Sequence, residues 1–247
     1  MDRAVWAIIY DLPEEGRDEY MDWFHGVHIP EKLARPGYTW AAHYEVKHPG
    51  EKFEKIAARL NRTDDPELAS GAGFIALFGG ESTRVFYDPS PAQLKERQNE
   101  ETRKMTGMRI QAKGLILCEE WRVEGPDAGK REAPDVMAPA IQMGRYDAQG
   151  NDEDLQAWYA QERMARVAET PGCIGARKYL VATAWPKHSV LYRGRRTTSR
   201  SKRRKGRSAC TGISSIRPAL RWRQAGSGRR WAGRGCLLTT SPLIVIP

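Results

Sequence analysis

Short apolar runs, each ended by charged or turn-forming residues, divide the first 192 residues into predicted strands and helices. Strands are predicted at 4–10, 38–46, 74–78, 115–123, 140–146, 173–181 and 187–192, with 82–88 as an alternative third strand. Helical spacing of aromatic and apolar residues predicts helices over 20–34, 90–105 and about 152–168. Asp152 is a candidate cap for the last of these helices.

The pattern repeats along the chain at a spacing of 135 residues. At that spacing Trp23-Phe24 matches Trp158-Tyr159, Pro36-Gly37 matches Pro171-Gly172, and Tyr44 matches Tyr179. An aromatic pair, a Pro-Gly turn and a strand therefore keep the same order in both halves. A repeat of this length predicts two copies of one structural unit.

The order of elements in the first copy is β-α-β-β-α-β, the arrangement of ferredoxin-like α+β units. Residues 1–124 form the first predicted unit, 125–138 a linker, 139–192 a partial second unit and 193–247 a tail. Two such units packed through their open sheet faces would form a barrel-type pseudo-dimer enclosing a cavity. The second unit is incomplete, because its second helix and fourth strand have no counterpart before residue 193.

The tail differs sharply from the rest of the chain in charge. It holds 15 of the 40 Lys and Arg residues and none of the 31 Asp and Glu, so the first 192 residues are mildly acidic. An Arg-rich arm would bind nucleic acid by neutralising phosphates. A frameshift in GC-rich coding DNA would give a similar composition, and it is favoured because the tail interrupts the second unit. Translation of the other two frames after codon 192 would decide between the two interpretations.

Other sequence signals exclude several classes of protein. Four widely spaced cysteines without a CxxC pair predict a reduced, cytoplasmic setting. The apolar run from Ala4 to Tyr10 is stopped by Asp11 and is too short for a membrane span. No phosphate-binding glycine loop or nucleophile elbow is present, so no cofactor is expected.

Three histidines in the first copy are candidates for acid–base catalysis. Pro30 cannot donate a helical hydrogen bond, so the helix is predicted to bend or break near His28, against an apolar wall. His28 is the leading catalytic candidate, with a pKa expected near the working pH, and His25 and His43 are the others. The alternative is that His28 only bonds a carbonyl freed by Pro30, and His43 is a surface strand residue. A metal site is not expected, because His-x-x-His lacks the best helical spacing and a paired carboxylate.

Large side chains around these histidines are predicted to bind substrate. They are Trp23, Phe24, Arg35, Trp40 and Tyr44. Alternation on the second strand sets Tyr38, Trp40, Ala42 and Tyr44 on one face, opposite Thr39, Ala41, His43 and Glu45. The second copy has Ala160, Arg163 and Lys178 where the first has His25, His28 and His43. A site confined to the first copy would explain why these histidines do not recur.

The stretch from Trp23 to Gly37, an aromatic pair and His-x-x-His-Ile-Pro before a Pro-Gly turn, resembles EthD-type members of the dimeric α+β barrel superfamily. The resemblance covers about residues 4–192 and implies a tandem barrel with a small-molecule cavity and pairing with a second copy. Such an enzyme would be a cofactor-independent isomerase, lyase or monooxygenase acting on a small aromatic or lactone-like molecule. The alternatives are a non-catalytic ligand-binding or stress-response barrel and nucleic-acid binding through the tail.

Overall fold

The computed structural model describes residues 2–47, 70–130, 137–194, 237–238 and 243–246. The strands in these ranges are β1 Ala4–Asp11, β2 Tyr38–Lys47, β3 Phe74–Gly80, β4 Ile110–Glu124, β5 Ala140–Asp147, β6 Cys173–Thr183, β7 His188–Gly194, β8 Leu237–Leu238 and β9 Leu243–Ile246. The helices are α1 Arg17–Trp23, α2 Ile29–Leu33, α3 Pro91–Glu96, α4 Glu100–Gly107, α5 Asp152–Trp158 and α6 Met164–Glu169. The fold is therefore of the predicted α+β class.

The strands form one antiparallel sheet that closes on itself. Its order is β7-β6-β4-β1-β3-β2-β9-β5, and a further pairing of β5 with β7 completes the ring. Strand β8 adds a two-residue pairing to β5. Within the described residues the architecture is thus an eight-stranded barrel with its helices on the outside.

Part of the segment assigned to the tail lies in this sheet. Arg193 and Gly194 continue β7, and β9 pairs with both β2 and β5. Most of the remaining tail lies outside the described residues, as does most of the loop predicted after β2. The nucleic-acid and frameshift interpretations of the tail therefore stay predictions.

Apolar side chains are buried on both faces of the barrel wall. Along β1, Val5, Ala7 and Ile9 point into the barrel core, whereas Trp6 and Tyr10 point out beneath the helices. A strand buried on both faces reads as a continuous hydrophobic run, as this one does. Consequently the molecule has an interior core and separate outer cores under each group of helices.

Three sequence predictions about local structure were wrong. Residues 83–86 form a 3₁₀ turn rather than a strand, because Phe86 is fully buried in the outer core. The 90–105 helix is two helices, with Ser90 capping the first and Asn99 the second. Asp152 is the first residue of α5 rather than its cap, and its carboxylate bonds His188 instead.

Both predicted Pro-Gly turns are present, and each glycine has a left-handed backbone. Gly37 has φ +82° and Gly172 has φ +83°, values that glycine adopts without steric cost. A register shift between Tyr38 and Trp40 follows the first turn. Because of that shift, Tyr38 packs under the helices while Trp40 faces the barrel core, so the predicted alternation fails at Tyr38.

Candidate functional site

The outer helix of the first unit changes winding where the histidines lie. α1 runs into a π-helical turn, Phe24–His28, and then into α2, which has Pro30 in its first turn. The predicted irregularity at His28 is present as a π turn within a continuous helix. The second unit has a π turn at the matching residues, Tyr159–Arg163, with Ala165 in place of Pro30, so the proline is not the cause that the sequence suggested.

His28 is buried among aromatic rings beneath this turn. Its side chain is 6% exposed, and its ring centroid lies 4.8 Å from that of Trp23 and 5.4 Å from that of Phe24. Its Nδ1 atom is buried without a hydrogen-bond partner in the described part of the chain. Burial, aided by the nearby charges of Lys32 and Arg109, lowers the pKa of His28 to about 3. The imidazole is therefore neutral at ordinary pH, which corrects the expectation of a pKa near the working pH.

Lys32 lies one helical turn after His28 and is equally buried. It is 6% exposed, and its Nζ atom lies 4.3 Å from the centroid of the Trp6 ring. Burial, then repulsion by Arg35 and Arg109, lowers the pKa of Lys32 to about 7 in spite of Glu31. No carboxylate among the described residues forms an ion pair with it. Lys32 is thus a buried amine that can lose or gain a proton near neutral pH.

A cleft of about 750 Å³ opens beside His28 and Lys32. Its apolar lining is Pro36, Tyr38, Val85, Pro89 and Leu94, its other basic lining is Arg35, Arg84 and Arg97, and its acidic lining is Glu31, Glu81 and Asp88. Arg35 has one guanidinium nitrogen, Nη1, that is buried without a hydrogen-bond partner in the described residues. The cleft therefore combines an apolar wall with donors that a bound molecule could satisfy.

A chain of hydrogen bonds leads inward from the exposed His25. His25 Nε2 lies 2.9 Å from His43 Nδ1, and His43 Nε2 lies 2.9 Å from the Tyr10 hydroxyl. The Tyr20 hydroxyl donates to that of Tyr10 at 3.0 Å and accepts from Arg109 Nε at 2.8 Å. Burial lowers the pKa of His43 to about 3 and raises the pKa values of both tyrosines. These bonds join His25 and His43 to each other, but they do not include His28.

The other predicted binding residues divide between the two faces of the sheet. Trp23 and Phe24 contact His28, and Arg35 lines the cleft. Trp40 and Tyr44 pack instead in the barrel core. There Trp40 Nε1 donates to Asp2 at 2.7 Å, and the Tyr44 hydroxyl donates to the carbonyl of Ala138 at 2.8 Å. The structure therefore does not bring Trp40 and Tyr44 to the cleft.

Sequence reasoning missed Lys32, Tyr10, Tyr20 and Arg109. Lys32 carried a readable signal, since it follows His28 by four positions and shares its helical face. Arg109 gave no such signal, because only the tertiary fold sets it 4.9 Å from the Tyr10 ring centroid. Arg109 helps to lower the pKa values of His28 and Lys32, and it can do so only because the fold brings it near them.

In the second unit, the buried side chains of Lys178 and His188 each have a carboxylate partner. Lys178 is 0% exposed, and its Nζ donates to Glu120 at 2.5 Å and lies 3.2 Å from His188 Nδ1. His188 Nε2 in turn lies 2.5 Å from an oxygen of Asp152. Arg163, at the position that matches His28, donates to the Tyr192 hydroxyl at 2.9 Å. Among the described residues of the second unit, no buried lysine therefore lacks a carboxylate partner, in contrast to Lys32 in the first unit.

In the described part of the chain, no group of three or more His, Cys, Asp or Glu residues is placed to hold a metal ion. None of the described helices is both long and apolar enough to cross a membrane.

Comparison with known proteins bears on the fold. No protein-family model matches the chain, and no curated protein sequence does. The chain is similar to the crystal structure of an anthrone oxidase-like protein, with a TM-score of 0.52 and 10% identity over 88% of this chain and 78% of that one. It is also similar, at TM-score 0.45 and 14% identity, to a candidate chlorite dismutase, over 80% of this chain and 81% of that one. The chain is similar as well to a candidate monooxygenase from Lactobacillus acidophilus NCFM, with a TM-score of 0.42 and 10% identity over 78% of this chain and 76% of that one. Of these three, the anthrone oxidase-like structure has the highest TM-score, and its likeness supports the α+β barrel fold described above.

Proposed function

We propose that the chain is a small-molecule enzyme whose cleft beside α2 binds an aromatic or lactone-like substrate and exchanges a proton with it. One observation carries the proposal. Lys32 and His28 are buried one turn apart in the lining of a cleft of about 750 Å³, where the pKa of Lys32 is lowered to about 7. A proton-transfer group works best when its pKa lies near the working pH.

The two residues would have different roles. Lys32 would accept the proton as a neutral amine and return it as an ammonium. His28, whose pKa is lowered to about 3, would stay neutral and orient the substrate through a hydrogen bond at its unsatisfied Nδ1 atom. Lys32, Arg35 and Arg109 raise the positive potential around the cleft, so they would stabilise an enolate or phenolate as negative charge develops. This chemistry suits an isomerase, a lyase or a cofactor-independent monooxygenase.

Proton exchange in D2O would test the proposal without knowledge of the natural substrate. Butenolides and hydroxylated aromatic ketones would be incubated with the full chain, and loss of the acidic C–H signal would be followed by proton NMR. We expect enzyme-dependent exchange with at least one compound, about a hundredfold slower in Lys32→Met and about tenfold slower in His28→Asn. Lys104→Met, at a lysine whose side chain is 62% exposed, is the matched control and should leave exchange unchanged. Equal exchange by Lys32→Met would remove Lys32 from the chemistry.

A non-catalytic ligand-binding or stress-response barrel is the second candidate. The weak basicity of His28 and His43 favours it, because burial makes both imidazoles poor proton acceptors. A compound that binds the cleft, as seen by chemical-shift changes, and shows no exchange in any series would support this alternative.

We further propose that the chain is a tandem repeat of one barrel half. Supporting this, the π turns Phe24–His28 and Tyr159–Arg163 begin 135 residues apart, as do Gly37 and Gly172. The order β4-β1-β3-β2 in one half of the ring parallels β9-β5-β7-β6 in the other. EthD-like character and pairing with a second copy are parts of the same proposal, and light scattering tests the pairing. In this order β9, which lies in the tail, takes the place of the fourth strand of the second half, and this weighs against a frameshifted tail. The DNA sequence around codon 192 tests whether a frameshift is present.

A further inference from the structure

The surroundings of Lys32 differ from those of an ordinary structural lysine. Its ammonium group contacts the Trp6 ring at 4.3 Å and lies in the lining of the cleft, without an ion pair to any described carboxylate. A buried ammonium normally requires such a partner. The position is therefore better suited to a neutral amine than to a permanent cation.

The groups that act on Lys32 come from several elements. Arg35 and Arg109 repel its charge, neutral His28 lies one turn before it, and Glu31 on the same helix opposes the repulsion. A desolvated lysine beside other cations is a recognised arrangement for an amine nucleophile, which must lose its proton before it attacks. Arg35 also bonds the Tyr38 side chain, yet its Nη1 atom is buried without a hydrogen-bond partner among the described residues. A guanidinium in that state is suited to a carboxylate.

We propose that Lys32 forms an imine with the carbonyl group of a small oxo acid, whose carboxylate is bound by Arg35. This rests on the proposed function insofar as it uses the same cleft, and it adds a covalent step and a ligand class. Arg35 selects the acid, the apolar wall packs against the rest of the ligand, and Lys32 attacks the carbonyl carbon.

The step balances without any further reactant. The lone pair of neutral Lys32 forms a C–N bond as the carbonyl π bond breaks, and a proton transfer gives a carbinolamine. Loss of its hydroxyl group as water, with one proton supplied and the nitrogen proton released, gives the imine. His28, neutral and one turn away, is placed to bond the departing hydroxyl.

Reductive trapping of the full-length chain tests the inference. Glyoxylate and sodium cyanoborohydride would be added near pH 7, and modified lysines would be mapped by peptide mass spectrometry as carboxymethyl-lysine. We expect Lys32 to be labelled at least about tenfold faster than the exposed Lys104, and Lys178 to stay unlabelled. Equal or slower labelling of Lys32 would overturn the inference.

A second variant separates the carboxylate from the amine. Arg35→Met also removes a charge that lowers the pKa of Lys32, so it should slow trapping of both aldehydes, but trapping of glyoxylate about tenfold more than trapping of acetaldehyde, which has no carboxylate. Equal slowing with both aldehydes would contradict the role of Arg35.

If Lys32 stays unlabelled although NMR shows benzoate bound in the cleft, the imine is wrong and the proposed acid–base function survives. If neither benzoate nor any exchange substrate binds, both proposals fail.

Discussion

Lys32 and Lys178 are both buried under the outer helices, yet their surroundings are opposite. Lys178 is bonded to Glu120 at 2.5 Å and lies 3.2 Å from His188, and the pKa of Lys178 is lowered by burial against the pull of that carboxylate. Both amines lie near aromatic rings, but Lys32 has a cleft beside it and no carboxylate partner among the described residues, and its pKa is lowered to about 7. Burial alone therefore does not identify a functional lysine. The missing counter-charge, next to a space that a ligand can fill, makes the difference.

The largest expected effect comes from removing each amine in turn. Lys178→Met should lower the free energy of unfolding by about 3 kcal/mol, because it leaves Glu120 partly buried without its partner. Lys32→Met should be neutral or stabilising by about 1 kcal/mol, because it replaces an unpaired buried amine with an apolar chain. Urea denaturation measures both. The contrast between the two lysines fails if Lys32→Met is as destabilising as Lys178→Met.

The second effect is the pH dependence that Lys32 confers on stability. Its pKa is about 7 in the folded chain and near the ordinary 10.5 when unfolded, so the unfolded chain binds more protons between those values. The free energy of unfolding should therefore rise with pH in this window, by about 2 kcal/mol from about pH 7 to pH 9. Subtracting the pH dependence measured for Lys32→Met isolates the contribution of Lys32 to the free energy of unfolding. A difference curve that is flat, or that falls with pH, would show that Lys32 titrates normally.

The third effect concerns the pairing in the second unit. Asp152→Asn removes the charge that faces His188 Nε2 at 2.5 Å, and we expect a loss of about 1 kcal/mol, reduced by the partial exposure of Asp152. The pKa of His188, already lowered by burial, should fall further. Asp154→Asn on the same helix is the matched control and should change neither quantity. NMR titration of His188 measures its pKa. An unchanged pKa would mean that Asp152 does not stabilise the charged form of His188.

The smallest effect is expected at the exposed end of the hydrogen-bond chain in the first unit. His25→Ala should change the free energy of unfolding by less than about 0.5 kcal/mol, since His25 is on the surface. The pKa of His43 should rise, because burial and then His25 hold it down. NMR titration of His43 measures this, with His28 as the internal reference. A fall in the pKa of His43 would mean that the hydrogen bond between His25 and His43 outweighs the repulsion between them.

Local pattern was sufficient for much of the fold. β1, β2 and β6 begin where the sequence predicts, because apolar runs and Pro-Gly turns encode them locally. The stretch around Val85 and Phe86 has the same apolar content but becomes a turn, since its side chains fill the outer core. Tyr38 was grouped with Trp40 on one face, and they lie on opposite faces, because a single-residue register shift cannot be read from alternation.

The candidate site was less accessible to sequence reasoning. His28 could be found because Pro30 and the aromatic pair mark its helix, and burial of Trp23 and Phe24 follows from the same periodicity. Trp40 and Tyr44 could not be assigned to the barrel core, because both faces of the sheet are covered by apolar groups. The pKa of Lys32 is lowered first by burial, then by Arg35 and then by Arg109, which is 77 positions away in the chain and acts on Lys32 only through the fold.

Direct titration of the Lys32 amine tests the central claim, which is that the first unit holds an unpaired buried lysine at a ligand site. The full chain would be labelled with ¹³C-lysine, and the side-chain signals followed by NMR across the pH range. We predict one signal with a midpoint near pH 7, which is absent from Lys32→Met and present in Lys178→Met. If Lys32 titrates instead near its ordinary value of 10.5, the account of this cleft is wrong.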